Sequence, residues 1–393
     1  MNAPSPPTPE PILLAAVSAR MMAELAVDAG HRVVALDRFG DLDLQRLCSG
    51  VSLLRDLGGR GTLAALADAA ESIDAPSVIY GAGFENRPDL VGSLAAGRRL
   101  LGNTPEGLRR VRDPAVLGAC LRAEGLAYPT TLAAADAPRR AEPQRWLRKP
   151  LSGGAGRGVR AWRGEALERG VMLQERVAGM SCSVLAVADG RRAAVLGLTE
   201  QLIGSPVFGA RGYAWCGNLV PPRLGAGERT GLLAQAGAVC ACLAEAFGLR
   251  GLLGVDLVWD GERAWVVEVN PRPCGSLEVV EAAHGVGAFD AHLAAFDGRL
   301  MDPDVERLWA RGPSAGKAVL FAGHDVAVGD TRRWLDRGIR DVPHPGERIR
   351  SGQPVCTLLS LGETPERVLA DLARRAARLR AELHVAEEVA AGG

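Results

Sequence analysis

The chain has 393 residues, 47% of them apolar and 23% charged, with 46 basic side chains against 46 acidic ones. This length suggests two or three domains of roughly 100–200 residues each, with a globular rather than a disordered composition. Balanced charge offers no field for nucleic acid or an anionic surface, and no run approaches about 18 uninterrupted apolar residues, so neither nucleic-acid binding nor a membrane span is expected.

The first segment, Met1 to Pro11, is rich in proline and lacks the basic start and apolar stretch of a signal peptide; a short disordered arm is expected there. Ile12 to Val17 then reads as a strand, Ala19 to Ala29 as a helix stopped by Gly30, and His31 to Leu36 as a second strand ending at Asp37. This β-α-β opening predicts a parallel sheet covered by helices, and without a GxGxxG motif it is not a dinucleotide site. A third strand, Ser77 to Tyr80, runs into the loop Gly81 to Asn86, at the strand end where open α/β sheets bind ligands. Helices are predicted over Pro88 to Leu100 and Asp113 to Glu124, the second opened by an Asp113-Pro114 cap, with a domain boundary near residue 104.

From Trp146 to Trp162 short strands flank a glycine loop, with further strands at Val171 to Glu175 and Ser183 to Ala188. An alanine-rich helix is predicted over Leu232 to Phe247, then strands at Leu252 to Trp259 and Ala264 to Val269. Beyond Arg311 come short strands and turns from Lys317 to Leu359, and an amphipathic helix from Thr364 to Ala386. The eight cysteines are scattered without a CxxC pair, which predicts buried thiols in a reducing compartment, the cytoplasm, and neither a disulfide frame nor a zinc site.

Two segments carry chemistry. In Arg148-Lys149-Pro-Leu-Ser152-Gly153-Gly154-Ala-Gly156-Arg157-Gly158, four glycines in six residues let backbone N–H groups converge on an anion. Lys149 and Arg157 add charge for phosphate oxygens, and the layout is a hairpin flap, not a Walker A loop. The second segment runs from Gly254 through Asp256, Glu268, Asn270 and Arg272 to Pro273. Glu268 and Asn270 project from one face of a strand. A two-residue turn at Asp260-Gly261 puts Asp256 on the opposite face, whereas a turn centred on Glu262 sets it across from Glu268. The longer turn is favoured because it groups three oxygen donors suited to Mg²⁺, and because facing carboxylates in an apolar hairpin need a cation. Arg272 follows these donors, within reach of a phosphoryl group. Val171 to Val177 is a strand ending in polar groups, with Gln174, Glu175 and the Val177 backbone suited to an adenine edge.

In this order the pieces resemble the ATP-grasp superfamily, most closely its carboxylate–amine ligase branch, across roughly residues 105–305. The N-terminal part is similar to the domain preceding ATP-grasp, through Gly81 to Asn86 and Leu101-Gly102-Asn103, and Lys317 to Leu359 is similar to the small C-terminal β domain of biotin carboxylase. The resemblance implies an α/β and α+β multidomain protein: a Rossmann-like domain over 1–104, a two-lobed ATP-grasp domain over 105–310, and a small β domain with a terminal helix over 311–393. It implies ATP and two Mg²⁺ ions, with Mn²⁺ as an alternative. Lys149 would touch phosphate, the loop Ser152, Gly153, Gly154, Gly156, Arg157 and Gly158 would close over it, and Gln174, Glu175 and Val177 would mark the adenine pocket. Asp256, Glu268 and Asn270 would hold metal, and Arg272 would steady the transferred phosphoryl group. The implied reaction joins a small carboxylate, such as the amino acid glutamate, to an amine in an enzyme that forms homodimers. Bicarbonate activation and non-catalytic nucleotide binding are the alternative readings. One departure is noted: many relatives carry a phosphate-contacting lysine where this chain has Asp113-Pro114, with Arg109 and Arg112 nearby.

Overall fold

The structure, a computed structural model, describes residues 10–59, 62–137 and 145–391, with residues 384–391 described by backbone alone. The arm expected from Met1 lies, up to residue 9, outside the described residues. Five strands, β1 (Ile12–Ala15), β2 (Val33–Asp37), β3 (Ser49–Ser52), β4 (Ser77–Tyr80) and β5 (Arg99–Leu100), form a parallel sheet in the order β3-β2-β1-β4-β5. Parallel neighbours need crossovers, and these are α1 (Arg20–Asp28), α2 (Leu42–Leu47), α3 (Leu63–Ala69) and α4 (Pro88–Leu94). The helix expected to reach Leu100 stops at Leu94 because Gly97 turns the chain at φ +73° and Arg99 then pairs with Ser77.

Helix α5 (Pro105–Val111) follows the parallel sheet, and α6 (Pro114–Ala123) comes next, capped by Asp113, whose Oδ1 accepts from the N–H groups of Ala115 and Val116. A four-stranded antiparallel sheet comes next, β6-β9-β7-β8, built from β6 (Thr131–Ala133), β7 (Trp146–Pro150), β8 (Arg160–Ala161) and β9 (Val171–Glu175). Strands β7 and β8 are the two that flank the glycine loop.

The remaining strands form one seven-stranded antiparallel sheet, in the order β14-β13-β10-β11-β12-β15-β18. Its members are β10 (Met180–Asp189), β11 (Ala193–Ile203), β12 (Trp215–Val220), β13 (Arg250–Trp259), β14 (Ala264–Asn270), β15 (Ser314–Phe321) and β18 (Pro354–Gly362), while β16 (Val326–Ala327) and β17 (Arg348–Ile349) make a separate ribbon. Within the segment expected as a small β domain over 311–393, β15 and β18 belong to the seven-stranded sheet and β16 and β17 to the ribbon. Strand β15 satisfies the open edge of β12, with Asn218 opposite Lys317, and carries the sheet on to β18.

Alternate residues of β10 supply both faces of this sheet. Val184 and Ala186 pack with helix α7 (Ala226–Phe247) through Leu232, Val239 and Leu243, while Leu185 and Val187 pack with α8 (Leu277–His284) through Val279 and Val280. By length and composition α7 is apolar enough to cross a membrane, which the search for an uninterrupted apolar run did not anticipate. In the fold it is a core helix, its apolar side covered by the sheet. Helices α9 (Ala288–Phe296), α10 (Val305–Arg311), α11 (Arg332–Asp336) and α12 (Pro365–Ala391) complete the chain.

A buried charge cluster joins the first and last parts. Arg20 of α1, 1% exposed, is ion-paired with Glu278, with Asp341 at 3.0 Å and with Glu24 at 2.7 Å. Lys317 of β15 reaches the other oxygen of Glu278 at 2.6 Å. Burial alone would raise the Glu278 carboxyl, but Arg20 and Lys317 hold it down at about 2. Removing one partner from such a buried set leaves uncompensated charge. Arg20→Met should therefore cost about 3–5 kcal/mol in urea denaturation, while Arg332→Ala, at an exposed ion pair, should leave the midpoint close to that of the parent. Equal stability of Arg20→Met and the parent would show that the cluster contributes nothing.

Candidate active site

The hairpin of β13 and β14 pairs Asp256 with Glu268 and Gly254 with Asn270. The pairing matches the longer-turn expectation, but its origin differs. The turn is a four-residue loop, Asp260 to Arg263, with Asp260 Oδ1 accepting from the N–H groups of Glu262 and Arg263. That loop alone would align Asp256 with Val267. Leu257 still faces Val266, and then one extra residue, Val267, bulges out and moves Asp256 across to Glu268.

The bulge is also used. Its freed carbonyl accepts from Lys149 Nζ at 2.9 Å, and Gln174 Oε1 accepts from the same ammonium at 3.0 Å. Lys149 on β7 is thereby held over the carboxylate pair. Burial lowers its pKa, against the opposing pull of Glu268 and Asp256. Asp256 sits between two side-chain amides, Gln201 Nε2 at 2.9 Å and Asn270 Nδ2 at 3.3 Å. Desolvation, then the charge of Glu268, pushes its carboxyl up to about 7. The two acids thus face each other with oxygen atoms only, and the charges of Arg272 and Lys149 offset part of the cost at Asp256.

Arg272 follows on the loop after β14. Its Nε and Nη2 donate to one oxygen of Glu85 at 3.0 and 2.8 Å, Nη2 also to Asn270 Oδ1 at 3.2 Å, and Nη1 to the Pro273 carbonyl at 3.0 Å. Glu85 lies in the loop after β4 and is 2% exposed. Its neighbour Asn86 accepts from Arg112 Nη2 at 2.8 Å and from the Gly153 N–H at 3.3 Å. Arg112 also lies 3.6 Å from Glu268. The strand-end loop of the parallel sheet thus touches the glycine flap, Arg272 after the β13–β14 hairpin, and the arginine that precedes Asp113-Pro114.

A cleft of about 70 Å³ runs between these parts, lined among others by Arg112, Lys149, Gly153, Gly154, Arg157 and Glu268. The flap rests on the opposite lobe: Ala155 O accepts from Trp215 N at 3.1 Å, and a Cβ on Gly156 would stand 1.8 Å from Tyr213 O. Gly156 also holds φ +71°, so this approach is open to glycine alone. Gly156 lines the cleft with its neighbours, whereas Ser152 and Gly158 lie outside its lining. Glu175 and Val177 lie outside it too: Glu175 pairs its backbone with Thr130 and its carboxylate, at 3.5 Å, with Arg145. Gln174 faces Lys149 and Thr131, so its side chain positions the lysine. Glu200-Gln201 is only a weak signal in the sequence, because the value of Gln201 depends on the register of β11 beside β10, which in turn pairs with β13; the Asp189-Gly190 turn between apolar runs is the readable signal for the β10–β11 hairpin.

Residues 115–276 match the family model described as ATP-grasp domain. The chain is similar to the formate-dependent phosphoribosylglycinamide formyltransferase of Burkholderia cenocepacia (strain HI2424), 36% identical over 107 residues that make up 27% of this chain and 24% of that protein. Such matches span 23% to 31% of the length of the curated relatives. In structure the chain is similar to an L-amino acid ligase from Bacillus licheniformis, with a TM-score of 0.64 at 15% identity over 94% of this chain and 98% of that one. It is also similar to the biotin carboxylase–β,γ-ATP complex from Campylobacter jejuni, with a TM-score of 0.66 at 15% identity over 92% of this chain and 89% of that one. At these identities the structural likeness is one of fold.

The carboxylate pair has a consequence for stability. Asp256 has a folded-state pKa raised above its ordinary value, so its protonated form is favoured by folding. That contribution is fully present below about 4 and is lost as pH rises through about 7. In the presence of a chelator, Asp256→Asn should therefore melt higher than the parent at pH 8, with the difference shrinking toward pH 4. A gap independent of pH would remove the electrostatic explanation.

Proposed function

We propose that this chain, which carries an ATP-grasp domain over residues 115–276, is an ATP-dependent carboxylate–amine ligase that forms an amide through an acyl phosphate and releases ADP and phosphate. The observation that supports this most is the cleft lined by Lys149, Arg112, the glycine flap and Glu268, with Asp256 paired opposite Glu268 in the hairpin and Asn270 bonded to Asp256. A protein that only holds nucleotide has no need of a buried carboxylate pushed up in pKa and facing a second acid beside a phosphate cradle.

In this reading ATP is a substrate, and Mg²⁺, when bound, neutralises the charge of its phosphate oxygens. Asp256, Glu268 and Asn270 would hold the metal, since they are the clustered oxygen donors and the carboxylate pair gains most from a cation. Lys149 and Arg112 supply positive charge from the two sides of the cleft, and Arg112 does the work of the lysine absent at Asp113-Pro114. Gly153, Gly154, Gly156 and Arg157 of the flap line the cleft from one side, where their backbone N–H groups would meet phosphate. The acid's carboxylate oxygen attacks the γ-phosphorus as the bond to the β-bridging oxygen breaks. The amine nitrogen then attacks the acyl carbon, phosphate leaves, and the nitrogen loses a proton. Four of the five N–H donors of Arg272 are committed to Glu85, Asn270 and Pro273. Arg272 therefore presents a pre-aimed guanidinium edge, and Glu85 is the group a phosphoryl oxygen would share it with.

The acid is proposed to be an amino acid such as glutamate, in line with the full-length fold likeness to an L-amino acid ligase. Bicarbonate is the second reading, favoured by the comparable likeness to a biotin carboxylase. The setting proposed is the cytoplasm, where eight uncrosslinked thiols are at home, with a homodimer as the assembly.

The test is ADP release by the purified protein with Mg-ATP across a panel of amino acids and amines, bicarbonate included. Release that needs both an acid and an amine supports ligation; release with bicarbonate alone supports carboxylation; ATP binding without turnover under any supplement overturns both. Glu268→Gln should lower turnover by about 10²-fold or more with the fold intact, and near-parental activity would sink the metal assignment. Lys149→Ala and Arg112→Ala should each raise the apparent KM for ATP about tenfold, the loss of one charged contact of about 1.4 kcal/mol.

A further inference from the structure

Cys120 and Cys242 are 122 residues apart in the chain, yet their sulfurs lie 3.5 Å from each other. Cys120 is on α6 and Cys242 on α7, each half-buried. The two helices are held together beneath them by Leu117 and Leu121 of α6 packed with Val239 and Leu243 of α7. A disulfide requires about 2.05 Å between sulfurs, so closure needs roughly 1.5 Å of travel, within the reach of side-chain rotation at two packed helices.

We propose that Cys120 and Cys242 form a redox modification site that takes small-molecule disulfides such as oxidised glutathione and converts them into an internal cystine fastening α6 to α7. The exchange balances. One thiolate attacks the reagent disulfide, forming a mixed disulfide and releasing one reagent thiol. The second protein thiolate attacks the mixed disulfide and releases the other, so the pair gives up two electrons, the reagent gains them, and both protons end on the released thiols.

The position gives the crosslink a consequence for the cleft. Helix α6 begins directly after Arg112, and its Pro114 and Leu117 line the cleft with Lys149 and Glu268. A covalent tie from α6 to α7 fixes that wall in the arrangement described above. The groups facing the pair set its tempo. Burial, then Cys120, Glu124 and Glu245, push the Cys242 thiol up to about 12. Little of it is thiolate at neutral pH, so exchange is slow and accelerates as pH rises. For the same reason the bond, once made, resists reduction, because the Cys242 thiolate it would return to is disfavoured.

The experiment uses the full chain incubated with oxidised glutathione at mildly alkaline pH. Intact mass should fall by two hydrogens, peptide mapping should join the segments holding Cys120 and Cys242, and Tm should rise by several degrees, reversed by dithiothreitol. Cys120→Ser and Cys242→Ser should each show only the mixed disulfide on the remaining thiol and no rise in Tm. Recovery of both cysteines as alkylatable thiols after prolonged incubation of the folded parent would overturn the proposal. So would an equal Tm rise in either serine variant. The mapping of the parent chain stands independently of whether the variants fold and of the proposed ligase activity.

Discussion

Two carboxylates facing each other across a buried hairpin are the constraint around which the rest of this molecule is arranged. Asp256 and Glu268 repel, and desolvation raises the cost. Such a pair persists only where the surrounding structure over-determines it. Here the determinants are a turn length, a single bulged residue and a sheet that runs on past the hairpin through β10 and β11, whose Gln201 holds one oxygen of Asp256. The bulge does double duty, shifting the register by one residue and freeing the Val267 carbonyl that holds Lys149.

Around that pair the fold brings together pieces from three stretches of chain. The strand-end loop of the parallel sheet reaches in with Glu85 for Arg272 and Asn86 for Arg112 and the flap. The glycine flap closes from the four-stranded sheet onto Tyr213 and Trp215 of the seven-stranded one. On the far side the buried cluster of Arg20, Glu278, Asp341 and Lys317 ties α1 to α8 and to the C-terminal segment. The cleft is therefore bounded by elements that are each anchored elsewhere, which is what preorganised charge requires.

The continuity of the large sheet changes how the C-terminal part is understood. Strands after residue 311 add to an edge that β12 would otherwise expose, and Lys317 delivers its ammonium to Glu278 from that added strand. The segment contributes to the charge framework and to the second hydrophobic cluster, where α12 covers the end of the sheet through Val368, Leu372 and Leu379.

The sequence by itself determined the local chemistry. Glycine spacing marked a loop between two strands, the Glu-Val-Asn-Pro-Arg run marked a strand end with Glu268 and Asn270 on it, and the alternation of short apolar runs with helices marked a parallel sheet at the start. These are signals of nearest-neighbour physics: backbone freedom, side-chain alternation and capping. What only the tertiary structure decided is everything that depends on register or on chain-distant partners. A one-residue bulge leaves no mark in composition, yet it turns an Asp256–Val267 alignment into a carboxylate pair. The partnership of Glu85 with Arg272 spans 187 residues, and Gln174 and Glu175, adjacent in sequence, part company because successive side chains of a strand face opposite sides. The same reason hid the union of the C-terminal strands with the central sheet: an open edge is a property of assembled strands, and no single strand carries it in its residues.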